Sequence, residues 1–187
     1  RGSNGVIVVT TKKGTKDGSY KVTYSGSVAW DKIIDDLDFM DADDYRNIRL
    51  GWRDSGTDLG GNYDWFKGVS RTGFAQKHTL SISGGTQRAN FRVSADYRNS
   101  NGVDLRSNRE EYGARASMEL KSKGDLFDFN INVAPRIIYK DYADWNVFGY
   151  AKQANPTTPL MDVNNPQLYY NFQGQVCPYN PVEVQAI

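Results

Sequence analysis

The chain carries one cysteine, one histidine and almost no net charge, and each scarcity closes off a class of function. Cys177 alone cannot build an internal disulfide framework, so it reads as a free thiol packed as a small apolar residue. His78 is the one imidazole, and no His, Cys, Asp or Glu set stands at metal-ligand spacing, so no metal site is expected. No nucleophile–base pair has a recognisable setting either, so the chain is not expected to be an enzyme or to hold a cofactor. Lys and Arg number 23 against 22 Asp and Glu, a net charge of +1, which offers no basic field for nucleic acid. The acidic run Asp35, Asp36, Asp38, Asp41, Asp43 and Asp44 lacks the ligand spacing and central glycine of a calcium loop and reads as helix capping. Gly60-Gly61 and Gly84-Gly85 lack the lysine and the strand-to-helix setting of a phosphate loop, and read as turns. No apolar run approaches the roughly 20 residues of a membrane-spanning helix, which excludes helical spans and says nothing of strands.

What the sequence does have is alternation. Tyr20, Val22, Tyr24, Val28 and Trp30 share one face of a strand, and Lys21, Thr23, Ser25 and Ser27 the other. The pattern returns at Phe74–Gly84, Ala89–Asn99, Tyr112–Lys121 and Phe127–Tyr139, so an all-β fold is expected, mainly an antiparallel meander with short helices in its loops. Each strand has a greasy and a wet side. Whether the greasy side meets a protein core or lipid decides the function.

The connections supply a second signal. Those after the second and fourth strands are tight turns, Gly84–Arg88 and Ser122–Asp125, whereas those after the first, third and fifth read as long. In a meander, odd connections fall at one end and even ones at the other, and short turns opposite long loops are the layout of outer-membrane barrels. Within the first long loop Asp41 reads as the N-cap of a short amphipathic helix through Ala42, Tyr45, Ile48 and Trp52, which Gly51 helps to end. A second short helix is expected near Trp145–Ala151, stopped by Asn155-Pro156. Thr157–Asp162 reads as extended chain and Tyr169–Phe172 as a small loop strand. Val6-Ile7-Val8-Val9, apolar without a break, fits a strand buried on both faces, and Thr15–Gly18 a polar turn or hinge before the first alternating strand.

Two segments resemble a known family. Arg1-Gly2-Ser3-Asn4-Gly5-Val6-Ile7-Val8-Val9-Thr10-Thr11-Lys12-Lys13-Gly14 resembles the end of the plug in SusC/RagA-like, TonB-linked outer-membrane proteins of Bacteroidetes-type bacteria, and His78–Gly85 with Phe91–Tyr97 resembles that family's early barrel hairpin. Asp41–Tyr45, Asn155–Leu160 and Asn180-Pro181-Val182 are similar to its loop segments. The resemblance implies a portion of a plugged outer-membrane β-barrel, with residues 1–14 the end of the plug and 15–187 the first part of the barrel, its long outer loops at 31–73 and 140–187. It implies an importer of glycans or peptides in a Gram-negative outer membrane, capped by a SusD-like surface lipoprotein and energised by TonB. Both ends read as cuts through a longer protein, and the piece alone is not expected to transport. The alternative is a soluble β-rich ligand- or glycan-binding domain whose apolar faces form an internal core.

Trp65, Phe66, Trp145, Tyr169 and Tyr170 are the candidates for substrate or partner contact, since loop aromatics stack on sugars or fill partner pockets. Packing of the loops against one another competes for the same residues. On the strands, Tyr20, Trp30, Tyr97, Tyr112 and Tyr139 suit an aromatic girdle, whereas Tyr24 is mid-strand and does not. Asn90, Arg92, Asp96, Asn130 and Asn132 are expected to face a lumen or the plug.

Overall fold

The computed structural model describes residues 12–34, 39–50, 57–124, 126–173, 177 and 179–186, except the side chains at 49 and 50. The expected Val6–Val9 strand, Asp35, Asp36 and Asp38, the helix end at Gly51 and Trp52, and the turn residue Asp125 lie outside the described residues.

Among the described residues six strands form one sheet: β1 (Asp17–Asp31), β2 (Gly73–Thr86), β3 (Ala89–Asn101), β4 (Asn108–Lys121), β5 (Asp128–Val133) and β6 (Arg136–Asp141). The order is β1-β2-β3-β4-β5, with β6 also pairing β4. The β4–β5 pair is antiparallel, with Met118 opposite Ile131 and Leu120 opposite Phe129. The expected fifth strand is thus two. Pro135 has no N–H for the ladder and interrupts it, although its carbonyl still accepts from Ala114 N at 3.1 Å.

The third connection is shorter than expected. Asn108 Nδ2 donates to Asn101 Oδ1 at 2.7 Å and Gly102 N to the Ser107 carbonyl at 2.8 Å, so both strands run on beyond their apolar positions. Only residues 102–107 are left, tied by the Asp104 carboxylate, which accepts from Arg106 N at 2.9 Å and Ser107 N at 2.6 Å. Burial alone would raise this carboxyl's pKa, but the bonds from Ser107 and Arg106 outweigh it and the net shift is downward.

The chain divides into two compact units. Of the described residues, the first holds 12–28, 76–99 and 110–139, and with them both tight turns, 87–88 and 122–127. The second holds 29–75, 100–109 and 140–187, and with them the connections 32–72 and 102–107 and the segment after β6.

In the second unit Asp41 caps the helical turn α1 (Ala42–Asp44) as expected, accepting from Asp43 N and Asp44 N. The winding then becomes π over Tyr45–Leu50. With i→i+5 bonds the three- and four-residue spacing no longer stacks side chains, so Ala42 is buried while Ile48 is 52% exposed. Two further turns, α2 (Trp65–Gly68) and α3 (Val147–Gln153), pack against each other, and α4 (Glu183–Ala186) ends the described chain. Their core is Trp65, Val69, Val147, Ala151, Ala154, Phe172 and Cys177. Cys177 is an interior residue there: its thiol reaches the Tyr179 carbonyl at 3.2 Å and burial pushes its pKa up.

Candidate functional site

The first unit has its polarity reversed relative to a globular sheet. On β2 to β4 the buried side chains are polar: Ser81, Ser83, Asn90, Glu111 and Glu119 are each at most 7% exposed. Their alternates are open, from 39% at Leu120 through 42% at Ile82 and Met118 to 49% at Val93. Period-two geometry puts the two sets on opposite faces, so the greasy face is the outer one.

The polar face is cross-linked. Asn90 Nδ2 donates to Glu119 Oε2 at 3.1 Å, and Arg92 Nη2 to Ser81 Oγ at 2.9 Å. Arg136 pairs with Glu111 at 3.1 Å and with Asp96 at 3.6 Å, spanning three strands. Asn90, Arg92 and Asp96 thus stand on the buried polar face as the alternation requires, whereas Asn130 and Asn132, on β5, are exposed. Lys13 and Lys16, just before β1, both pair with Glu119. Arg136 stands on the polar face of the expected fifth strand as the alternation requires, whereas Glu111, Lys13, Lys16 and Glu119 were not singled out in the sequence. Polar-face parity was the available signal for Glu111 and Glu119, but nothing local ties the lysines to a carboxylate about a hundred residues on.

The apolar face carries rings in rows across the strands. Tyr24 hydroxyl and His78 Nδ1 are hydrogen-bonded at 2.7 Å, His78 stacks on Tyr97, and Tyr97 meets Tyr112 at 5.1 Å. The Tyr97 and Tyr112 hydroxyls both donate to Glu110 Oε1, at 2.9 and 2.7 Å. Tyr24 therefore belongs to the row despite its mid-strand position, because β1 continues seven residues beyond it to Asp31 while Tyr112 is four from the start of β4. A second row runs from Tyr20 over Gly84 to Phe91, and a Cβ at Gly84 would strike the Tyr20 ring.

The candidate loop aromatics separate by burial. Trp65 is 3% exposed, edge-on to Phe172, with Nε1 donating to the Asn155 carbonyl at 3.1 Å. Phe66 is half-buried between Phe39 and Phe148. Tyr170 packs on the core beside Phe172, and Tyr169 pairs its backbone with Met161, the trace of the expected loop strand. Trp145 stands 92% exposed. The expected extended stretch after Asn155 instead turns at Thr157-Thr158, both wholly buried. Thr157 binds the first long loop: its carbonyl accepts from Gly61 N at 2.6 Å and its Oγ1 from Leu59 N at 3.1 Å. The second unit also has an open cavity of about 260 Å³, lined by Ser100, Ser107, Arg109, Lys140, Asp141 and Tyr142 among others.

A sheet with its greasy face outward, rings in rows across it and a cross-linked polar interior is a piece of membrane β-barrel wall. A soluble domain with the apolar faces inside would need the opposite burial. Comparison with known proteins agrees. The TonB-dependent receptor SusC of Bacteroides thetaiotaomicron is 35% identical over 178 residues, 93% of this chain. TonB-dependent receptors P3 and P26 of Formosa agariphila are 29% and 27% identical over 64% and 86% of it. The chain spans 17%, 12% and 17% of the lengths of these three relatives. No family model matches. Among solved structures, the RagAB peptide transporter superposes on 92% of the chain with a TM-score of 0.68 at 17% identity, and the RagAB peptide importer in its open-open state on 98% with 0.72 at 19%. These two cover 25% and 26% of the matched chains and establish the fold. The chain belongs to the SusC-like family of TonB-dependent receptors.

Proposed function

We propose that the chain is the early barrel wall of a TonB-dependent nutrient importer of the outer membrane, with residues 1–14 the end of its plug and 15–187 barrel and outer loops. One observation carries the reading: apolar side chains are exposed and polar ones buried on the same strands. The dimensions support it. Ala89–Tyr97 and Tyr112–Leu120 are nine-residue stretches whose outward side chains are all apolar or Tyr. At about 3.3 Å per residue and a tilt near 40° each covers about 20 Å along the membrane normal, close to the roughly 25 Å apolar band of such barrels.

The parent protein would take glycans or peptides, beneath a SusD-like surface lipoprotein and with TonB supplying the energy. Import would proceed by capture under the outer loops and displacement of the plug. Trp145, Phe66, Tyr169 and Tyr170 are the loop aromatics with ring surface left to offer a ligand or that lipoprotein. Trp65 contributes by holding the loops in shape.

Fractionation of cells producing the full-length receptor tests the assignment. It is expected in the outer-membrane pellet, to leave it only with detergent, and to co-purify with a surface lipoprotein. Release in detergent-free buffer would overturn the reading.

A further inference from the structure

Glu119, on the polar face of β4, gathers donors from distant parts of the chain. Its side chain is 9% exposed, accepts from Asn90 Nδ2 at 3.1 Å, and pairs with Lys13 Nζ and, at 3.5 Å, Lys16 Nζ. Between the two lysines Gly14 lies against the backbone of Phe91 on β3, where a Cβ would meet the Phe91 carbonyl oxygen and come within 2.7 Å of its nitrogen. No other residue type fits there without moving a strand. The chain then turns into β1, with Thr15 Oγ1 donating to the Ser19 carbonyl at 2.7 Å and Ser19 N to Asp17 Oδ1 at 3.0 Å. Residues 13–16 are therefore held by two ion pairs to one carboxylate and by a backbone approach reserved for glycine.

The setting makes this hold stronger than a surface ion pair. Exposed Lys–Glu pairs are screened and weak. Here the carboxylate is nearly shut off from water with the lysines in place, and lifting them away would leave its charge with one amide donor. A pull on the preceding chain would otherwise load the end of the β1 ladder, where hydrogen bonds break one at a time.

We propose that Glu119 is a positioning residue which, through Lys13 and Lys16, fixes the connector to the barrel wall, so that movement of the preceding chain during import stops at residue 13. The inference rests on the importer reading above. Single-cysteine labelling of the full-length receptor in cells, in a background where Cys177 and every other native cysteine are replaced by serine, tests it with a small hydrophilic maleimide, with and without a protonophore. Labelling of Asn4→Cys is expected to rise several-fold in energised cells, while that of Thr15→Cys stays the same in both conditions. Adding Lys13→Gln with Lys16→Gln should give Thr15→Cys the same energy-dependent rise, and Glu119→Gln should do likewise. Lys13→Arg with Lys16→Arg should leave Thr15→Cys unresponsive. The lysine variants change half-exposed side chains, so they report even if Glu119→Gln fails to assemble. A rise at Thr15→Cys in the otherwise native receptor, or none in the Lys→Gln pair, overturns the clasp. If Asn4→Cys ignores the energised state, the importer reading falls first and takes the clasp with it.

Discussion

Val93→Arg and Ser94→Arg, one position apart on β3, should behave oppositely. Val93 is 49% exposed on the apolar face and is the midpoint of the nine-residue stretch Ala89–Tyr97. Four residues at about 3.3 Å, tilted near 40°, put it about 10 Å from either end of that stretch along the membrane normal, close to mid-bilayer. An arginine there faces hydrocarbon on a rigid strand and should cost about 2–4 kcal/mol of folding free energy, the range for a basic residue at the midplane of a barrel. Ser94 is half-buried on the polar face, between Arg92 with its bond to Ser81 and Asp96 with its pair to Arg136. An arginine there meets polar groups and should cost less than about 1 kcal/mol, with steric adjustment the main term. The assay is equilibrium folding of the full-length receptor into lipid vesicles, read by heat-modifiable gel mobility. If Val93→Arg folds as the native receptor does while Ser94→Arg does not, the faces are reversed and the lipid-facing assignment is wrong.

Trp65→Ala should destabilise the loop unit by about 3–5 kcal/mol, because a wholly packed indole and its bond to Asn155 are lost, whereas Trp145→Ala should change stability by less than about 0.5 kcal/mol; proteolytic nicking of the two variants compares them, and equal sensitivity would refute the division of roles. Trp145→Ala should instead weaken co-purification with the surface lipoprotein or ligand uptake, and unchanged values for both remove Trp145 as a contact. The hydrogen bond from Arg46, at 2.8 Å, and then that from Gly60 N hold the Asp58 carboxyl below its usual pKa. A lowered folded pKa means that the stabilisation is complete above the unfolded value of about 3.9 and is lost as pH falls through the folded one. Protection factors at residues 57–61, with the intrinsic pH dependence of amide exchange divided out, should therefore match at pH 7 and pH 5 and fall only below about pH 4; a fall already between 7 and 5 would contradict it. The 187-residue chain made alone should self-associate in plain buffer, since its apolar face and β1 are uncovered, and a compact monomer by light scattering would count against an outward greasy face.

Alternation located every long strand, because period two is a local property. It could not say which side was in. That answer came from the burial of Ser81, Ser83, Asn90, Glu111 and Glu119, which no stretch of sequence shows by itself. Loop parity holds only in part. The connections do sort by unit, but 102–107 is no longer than 122–127, and the contrast of lengths rests on the first loop and the last. Polar side-chain bonding, Asn108 to Asn101 above all, extended strands past the point where hydrophobicity stopped marking them. Pro135 was a legible interruption of the fifth strand that the surrounding alternation masked. The π winding after Asp44 has no signature in the composition of Tyr45–Leu50.

The loop aromatics show why candidate sites were harder to read than strands. Trp65 and Trp145 are the same residue type in polar, glycine- or asparagine-bearing surroundings, yet one is 3% and the other 92% exposed. What separates them is partners from elsewhere in the chain: Phe172 lies more than a hundred residues from Trp65, and the turn Asn155–Thr158 receives the backbone of Leu59, Gly61 and Tyr63. The same holds for Glu119, whose counter-charges are about a hundred residues upstream. The wall is specified locally, strand by strand, while its contents and its covering are specified by long-range pairs. One wall pattern is therefore compatible with different loops and polar-face residues, and substitutions such as Ser94→Arg should be tolerated in assembly where Val93→Arg is not.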